Sequence, residues 1–310
     1  MKISPTATRF ASLALLGVLA SSLLAACGDD SGSSDTSGPS VAAAFYPLAY
    51  VAERVAGGHA TVENLTQPGG EPHDLELGLN QTVALQKADV VVYEAGFQPA
   101  VDDAVADLSG EQLVDAASVV QLHPAVESDA DHAEDHEDGE LDPHFWQDPL
   151  LLADVADAVA DSLSKADPDH ADDYAANAAA LRTDLEQLDQ DYTQGLTDCE
   201  RSTVVVSHDA FEYLTRYGLT FEPIAGLSPD AEPSPAGLAA LQKLARTEGV
   251  TTVFSERLAS PALADTLAHD LGISTGVLDP IEGLSDETAD EDYLSLMREN
   301  LAALQKANGC

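Results

Sequence analysis

The chain alternates short β-branched runs with segments of helical spacing. Seven runs rich in Val, Thr and other strand-forming residues have the length and flanking turn residues of strands: 41–46, 61–66, 89–94, 203–207, 219–224, 250–254 and 275–278. Between several of them, over 80–87, 210–217, 236–246 and 261–271, apolar residues recur at helical intervals. Such alternation predicts an α/β fold with mainly parallel sheets, because parallel strands need a crossover and the crossover is usually a helix.

The middle of the chain breaks the alternation. Asp148-Pro149 has the form of an N-cap followed by proline at the first helical position, opening a helix to about residue 165, and Asp167-Pro168 repeats that signal. The second helix carries Tyr174, Ala178, Leu181, Leu185, Leu188, Tyr192 and Leu196 on one stripe. Running over 168–196 it would be about 43 Å long, enough to join two lobes as a stiff spine. The two flanking halves echo each other. Glu71-Pro72, Ala84-Leu85-Gln86-Lys87 and the run Val90 to Glu94 are matched in order by Glu232-Pro233, Ala240-Leu241-Gln242-Lys243 and the run Val250 to Glu256. Two similar lobes are expected, 41–147 and 198–310, with connecting helices over 148–197 and a ligand cleft between the lobes.

The first residues carry a different pattern. Lys2 and Arg9 form a short basic start, an apolar run follows over 10–26, and it ends Leu24-Ala25-Ala26-Cys27. These features predict a secretory signal peptide over 1–27. Small residues directly before Cys27 resemble the bacterial lipoprotein box, in which the cysteine is lipidated and becomes the new N-terminus. Residues 28–40, rich in Gly, Ser and Asp, then form a flexible tether. The protein is expected outside the cytoplasm, anchored to the cell membrane without crossing it.

Charge narrows the partners. The formal net charge is −42, and it falls to −44 without residues 1–26, which hold two basic and no acidic side chains. Phosphates would be repelled, which excludes nucleic acid, while cations would be concentrated near the surface. Most of the charge reads as an acidic, salt-tolerant surface with no ligand meaning. Once Cys27 is assigned, Cys199 and Cys310 remain. Outside the cytoplasm such a pair is more often a disulfide than two thiols, and the two lack the close spacing of a metal or redox motif. The expected bridge pins the C-terminus and steadies the lobe containing 203–207.

Three of the nine histidines stand where a chain places ligands. His73 lies in the loop Gly-Gly-Glu-Pro-His-Asp, His144 lies in Asp-Pro-His-Phe-Trp ahead of the Asp148 cap, and His208 directly follows 203–207. Open α/β sheets bind ligands at the carboxyl ends of their strands. The turn Asp279-Pro280-Ile281-Glu282 likewise follows a predicted strand and offers two carboxylates. Three imidazoles and a carboxylate suit zinc.

These motifs resemble those of the cluster A-I substrate-binding proteins of metal ABC transporters, and within them the zinc branch. The resemblance rests on Glu71-Pro72-His73-Asp74, Asp142-Pro143-His144-Phe145-Trp146 and Ser207-His208-Asp209-Ala210-Phe211, and runs from about residue 40 to the end. It implies two α/β lobes joined by one long rigid helix with the metal in the cleft. It also implies Zn2+ as transported ligand, a membrane permease as partner, and a monomer. His208 separates the branches, since manganese-binding members typically carry a carboxylate there, so manganese is the alternative cargo. The fourth ligand falls to Glu282 or Asp279; the longer Glu282 side chain is favoured, with Asp279 orienting its neighbours. Relatives often carry a His- and acid-rich insertion thought to collect the ion. Here 123–142 holds His132, His136 and nine acidic residues from Glu127 onward, and it is expected to be a solvated loop with that role. A surface zinc hydrolase would also want three ligands and an open position, but there is no HExxH helix, nucleophile elbow or phosphate loop. The chain is therefore read as no enzyme; a surface adhesin is the remaining alternative.

Overall fold

The structure, a computed structural model, describes residues 38–108, 110–125 and 141–310. The expected signal peptide, Cys27, nearly all of the tether, His132 and His136 lie outside the described residues.

The first half runs β1 (Ser40–Ala43), α1 (Tyr46–Ala56), β2 (Thr61–Asn64), α2 (Leu79–Lys87), β3 (Val90–Tyr93), α3 (Pro99–Val105), β4 (Leu113–Asp115) and α4 (Ala116–Val119). Its strands form a parallel sheet in the order β2-β1-β3-β4. A two-stranded ladder of β5 (His123–Pro124) and β6 (Leu141–Asp142) follows. After α5 (Pro149–Ala166) and α6 (Ala171–Gly195), the second half runs β7 (Thr203–Val206), β8 (Thr220–Pro223), α7 (Pro235–Thr247), β9 (Thr252–Ser255), α8 (Ala262–Leu271), β10 (Ser274–Val277) and α9 (Tyr293–Asn308). Its parallel sheet has the order β10-β9-β7-β8. Numbered within each half, both sheets read second-first-third-fourth. The Ala-Leu-Gln-Lys segments of the sequence echo fall in α2 and α7, each the crossover into its half's third strand. All four residues of β3 are buried, as expected of a parallel strand covered on both faces.

Asp148 caps α5 by accepting from the Leu150 N–H at 2.9 Å, with Pro149 opening the helix. The long α6 begins three residues later than the spacing suggests, because Pro168–His170 forms a 3₁₀ turn, and it ends at Gly195. Its 25 residues span about 38 Å. Every residue of the predicted stripe is buried, and α6 packs on α1 and α5 at one side and on α9 at the other. The predicted strand 41–46 stops at Ala43. Tyr46 instead opens α1, with Pro47 at the helix start, and nine of its eleven residues are buried. Residues 210–217 hold a 3₁₀ turn, Glu212–Tyr217.

Cys199 and Cys310 are joined by a disulfide across a sequence separation of 111. Beside it the Arg201 N–H donates to the Asn308 carbonyl at 3.0 Å and the Gln305 amide to the Gly195 carbonyl at 3.0 Å. The bond thus ties the end of α9 to the link between α6 and β7. Replacing Cys310 by serine is expected to lower unfolding stability by about 2–5 kcal/mol. Denaturant titration checks this, and an unchanged midpoint would mean that the bond does not form in the mature protein.

Candidate metal centre

The chain brings His73, His144, His208 and Glu282 together, with one ligand atom from each within 4.8 Å of all the others. Glu282 Oε1 is the hub, lying 3.4 Å from His73 Nε2 and 3.3 Å from Nε2 of both His144 and His208. Around a tetrahedral zinc with bonds near 2.0–2.1 Å, ligand atoms stand about 3.3–3.4 Å apart. The carboxylate is therefore already one tetrahedral edge from each imidazole. His144, His208 and Glu282 are almost completely buried, whereas His73 is partly open.

Each of the four candidate side chains is aimed by its own surroundings. His208 sits just past β7, at the carboxyl end of the sheet where strand order reverses. Its Nδ1 lies 2.9 Å from Glu256, just past the neighbouring β9. His144 Nδ1 lies 2.7 Å from Asp142 Oδ1, which also accepts the His144 backbone N–H at 2.9 Å. A carboxylate at Nδ1 fixes the proton there and leaves Nε2 free for a metal. Both Nε2 atoms are buried without a hydrogen-bond partner. Asp142 is itself held through β5–β6, where it pairs with His123, and by the Tyr213 hydroxyl donating to its carbonyl at 2.8 Å. His73 follows the loop from β2. There Gln98 donates to the Pro72 carbonyl at 3.0 Å, and the His73 ring meets Phe97 edge-on.

Glu282 ends the turn after β10. The turn is clamped from two sides: Trp146 Nε1 donates to the Pro280 carbonyl at 2.7 Å, and the Asn300 side chain bonds both backbone groups of Asp279. Ile281 adopts φ 61°, a left-handed conformation costly for a β-branched residue. Its fully buried side chain and its N–H bond to Asp279 Oδ1 hold it there. Asp279 faces away from the histidines, with Oδ2 3.0 Å from Arg257 Nε. Of the two carboxylates left open by the sequence, Glu282 is the one grouped with the imidazoles, and Asp279 shapes the turn.

The electrostatics follow from burial and pairing. Burial opposes charge on His208, yet the hydrogen bond to Glu256 and then the facing Glu282 carboxylate raise its pKa to about 10. His144 is raised for the same reasons through Asp142 and Glu282. Burial alone would raise Glu282, but the three histidines around its carboxylate, His144 and His208 first, hold it well below the carboxylate range. At the mouth, burial and then the Glu282 charge push Glu71 up to about 7. Asp142 and Glu256 carried no predicted role. Asp142 could have been found two residues before His144 in its motif, and Glu256 from the sequence echo.

Comparison with known proteins agrees with this picture. The family described as zinc-uptake complex component A, periplasmic, matches residues 41–307. The zinc-binding lipoprotein AdcA of Streptococcus pneumoniae R6 is 38% identical over 272 residues, which is 84% of this chain but 54% of that protein. The chain thus spans about half the length of that relative. The high-affinity zinc uptake system protein ZnuA of Bacillus subtilis is 34% identical over 302 residues, 91% of this chain and 93% of its own. Among solved structures, laminin-binding protein Lmb of Streptococcus agalactiae, described as having adhesin and metal-transporting activity, aligns with TM-score 0.77 at 30% identity, covering 87% of this chain and 99% of its own. Zn(II)-bound AdcA of Streptococcus pneumoniae aligns with TM-score 0.73 at 34% identity, covering 88% and 58%.

Proposed function

This chain belongs to the family of periplasmic zinc-uptake complex components, and on that premise we propose that it captures Zn2+ outside the cytoplasm and passes it to an ABC-type importer. The ligands are His73, His144, His208 and Glu282. The observation that carries this reading is the single carboxylate oxygen held 3.3–3.4 Å from three imidazole Nε2 atoms. Three nitrogen ligands and one oxygen favour zinc over the oxygen-preferring manganese. The lobes 41–147 and 198–310, linked through 148–197, each present two ligands: His73 and His144 from one, His208 and Glu282 from the other. Lipidation at Cys27 would tether a monomer beside its permease. Among the described residues no helix is long and apolar enough to cross a membrane. The reading is of a binding protein and no enzyme.

Titration of the metal-free protein tests it, with Trp146, the only tryptophan, as reporter, its ring 5.2 Å from that of His144. One zinc per chain is expected, and loss of tight binding in each of His73→Ala, His144→Ala and His208→Ala. A variant that kept full affinity would remove that residue from the shell. The affinity should also depend on pH. His208, with its pKa near 10, holds a proton that zinc must displace. Affinity should therefore rise with pH from about 6 to 8, roughly tenfold per unit for each proton displaced. The same shift stabilises the metal-free fold fully below the unfolded histidine value of about 6.5, and that contribution is lost as pH rises through about 10. A flat affinity over that range would contradict the shell.

A further inference from the structure

The turn that follows His208 reaches across to the first half of the molecule in a way the metal shell does not require. It runs Glu212–Tyr217 as a 3₁₀ helix, and three residues per turn put Tyr213 and Arg216 on one face. That face meets the chain on both sides of His144. Tyr213 is 1% exposed, and its hydroxyl donates to the Asp142 carbonyl at 2.8 Å while accepting the His123 N–H at 3.0 Å. Both strands of the β5–β6 ladder therefore hang on one oxygen, with the His123 ring stacked on the Tyr213 ring at 4.2 Å. Arg216 Nη1 donates to Asp148 Oδ2 at 2.5 Å, while the other oxygen of Asp148 caps α5. One contact falls two residues before His144 and the other four residues after it.

The same turn is fixed to its own half and to the long helix. The Ala210 N–H donates to the His208 carbonyl at 3.0 Å, and Phe211 stacks on Phe221 of β8 at 5.7 Å. The Tyr217 hydroxyl donates to Asp189 Oδ1 of α6 at 2.8 Å, and Arg216 Nη2 lies 3.4 Å from the same oxygen. His144 and His208 come from different halves, so the 5.4 Å between their ring centroids is set by contacts between the halves. Resting on the zinc site above, we propose that Tyr213 and Arg216 are positioning residues. They clamp the segment 142–148 to the His208 turn and hold these two imidazoles at one spacing before the ion arrives. A pair already in place loses less freedom when it binds, which raises affinity. The clamp also fixes the angle at which the two rings meet the ion, and so the geometry of the shell.

Competition with a chromogenic chelator tests this on the full chain, with circular dichroism to check that each variant is folded. Tyr213→Phe keeps the ring on His123 and loses only the hydroxyl. Its zinc affinity should fall about tenfold, the lower end for groups that hold ligands. Arg216→Met should fall by a similar factor, and Arg216→Lys, which returns a cation to Asp148, should recover most of it. Cobalt(II) in place of zinc supplies a second readout, because its visible bands report ligand geometry. Those bands should shift in Tyr213→Phe and further in the double variant Tyr213→Phe, Arg216→Met. Thr215→Ala is the control for turn stability, since the Thr215 hydroxyl bonds the Glu212 carbonyl within the turn. It should leave affinity and bands as in the wild type. Affinity within about twofold of wild type in Tyr213→Phe, the margin for unconnected sites, or unshifted cobalt bands would overturn the clamp. So would a loss in Thr215→Ala equal to that in Tyr213→Phe, because turn stability alone would then explain both. A wild type that took up no zinc would overturn the metal site and the clamp with it, a result distinct from the others.

Discussion

Replacing Glu282 by alanine is expected to weaken zinc binding by more than about a hundredfold, beyond the range typical of groups that only support ligands. Glu282 Oε1 lies within 3.4 Å of all three Nε2 atoms. It also supplies the only carboxylate of the shell, so its loss leaves a dication with neutral ligands alone. The metal-free variant should be destabilised as well. His144 and His208, with ring centroids 5.4 Å apart, would lose their common counter-charge, and the penalty should grow as pH falls below about 10, where wild-type His208 takes up the proton that Glu282 helps to hold. Asp279→Asn is the control from the same turn. It breaks the Arg257 pair but removes no atom facing the ion, so zinc affinity should fall less than about tenfold while stability drops by about 1–3 kcal/mol. Chelator-competition titrations of the two variants decide between the carboxylates. If Asp279→Asn lost zinc as severely as Glu282→Ala, the fourth position would have to be reassigned.

The sequence made the proposed ligands legible as a group because each lies where the chain changes from one element to another. His208 directly follows a β-branched run, His144 precedes an Asp-Pro cap, and His73 follows a proline in a Gly-rich loop. Punctuation of that kind is local, so spacing alone reveals it. The choice between Asp279 and Glu282 was not local. It depends on Arg257 and Asn300, which are brought to the turn by β9 and α9, and on the left-handed backbone of Ile281. A residue of that type gives no sign in a sequence that it will adopt positive φ. The same limit hid Glu256 as the support of His208, since that pairing follows from sheet register, whereas Asp142 stands only two residues before His144 and was open to a local reading.

The inner strands β1, β3, β7 and β9 were legible because they are largely apolar or β-branched, and α6 for its uninterrupted stripe. Elements that break those patterns were not. α1 is buried on nearly every side, and β4 has three residues with only Val114 buried. The matching strand order of the two halves makes the weak internal echo meaningful after the fact. Its repeated segments occupy the same crossover in both sheets.

Trp146→Ala is expected to cost about 3–5 kcal/mol of stability and to loosen the metal site from a residue that carries no ligand atom. The indole is fully buried, with Phe45, Phe97 and Phe145 packed around it at centroid distances of 5.0, 5.6 and 5.8 Å. One edge meets the His144 ring, and Nε1 holds the Pro280 carbonyl two residues before Glu282. The Trp146 carbonyl in turn accepts the Tyr293 hydroxyl of α9. One side chain thus braces a ligand from the first half against the turn that carries a ligand from the second. Trp146→Phe separates the two contributions. It keeps most of the packing but loses the N–H. Stability should fall by only about 0.5–1.5 kcal/mol, the net worth of one hydrogen bond, because the Gln147 side-chain amide also donates to the Pro280 carbonyl and keeps it partnered. Zinc affinity should still fall about tenfold, as the Glu282 turn loses one of its clamps. Because the fluorophore is removed, affinity is read by competition with a chromogenic chelator, and stability by thermal unfolding followed by circular dichroism. If Trp146→Phe kept wild-type affinity while Trp146→Ala lost it, the bond to Pro280 would be irrelevant and packing alone would hold the site.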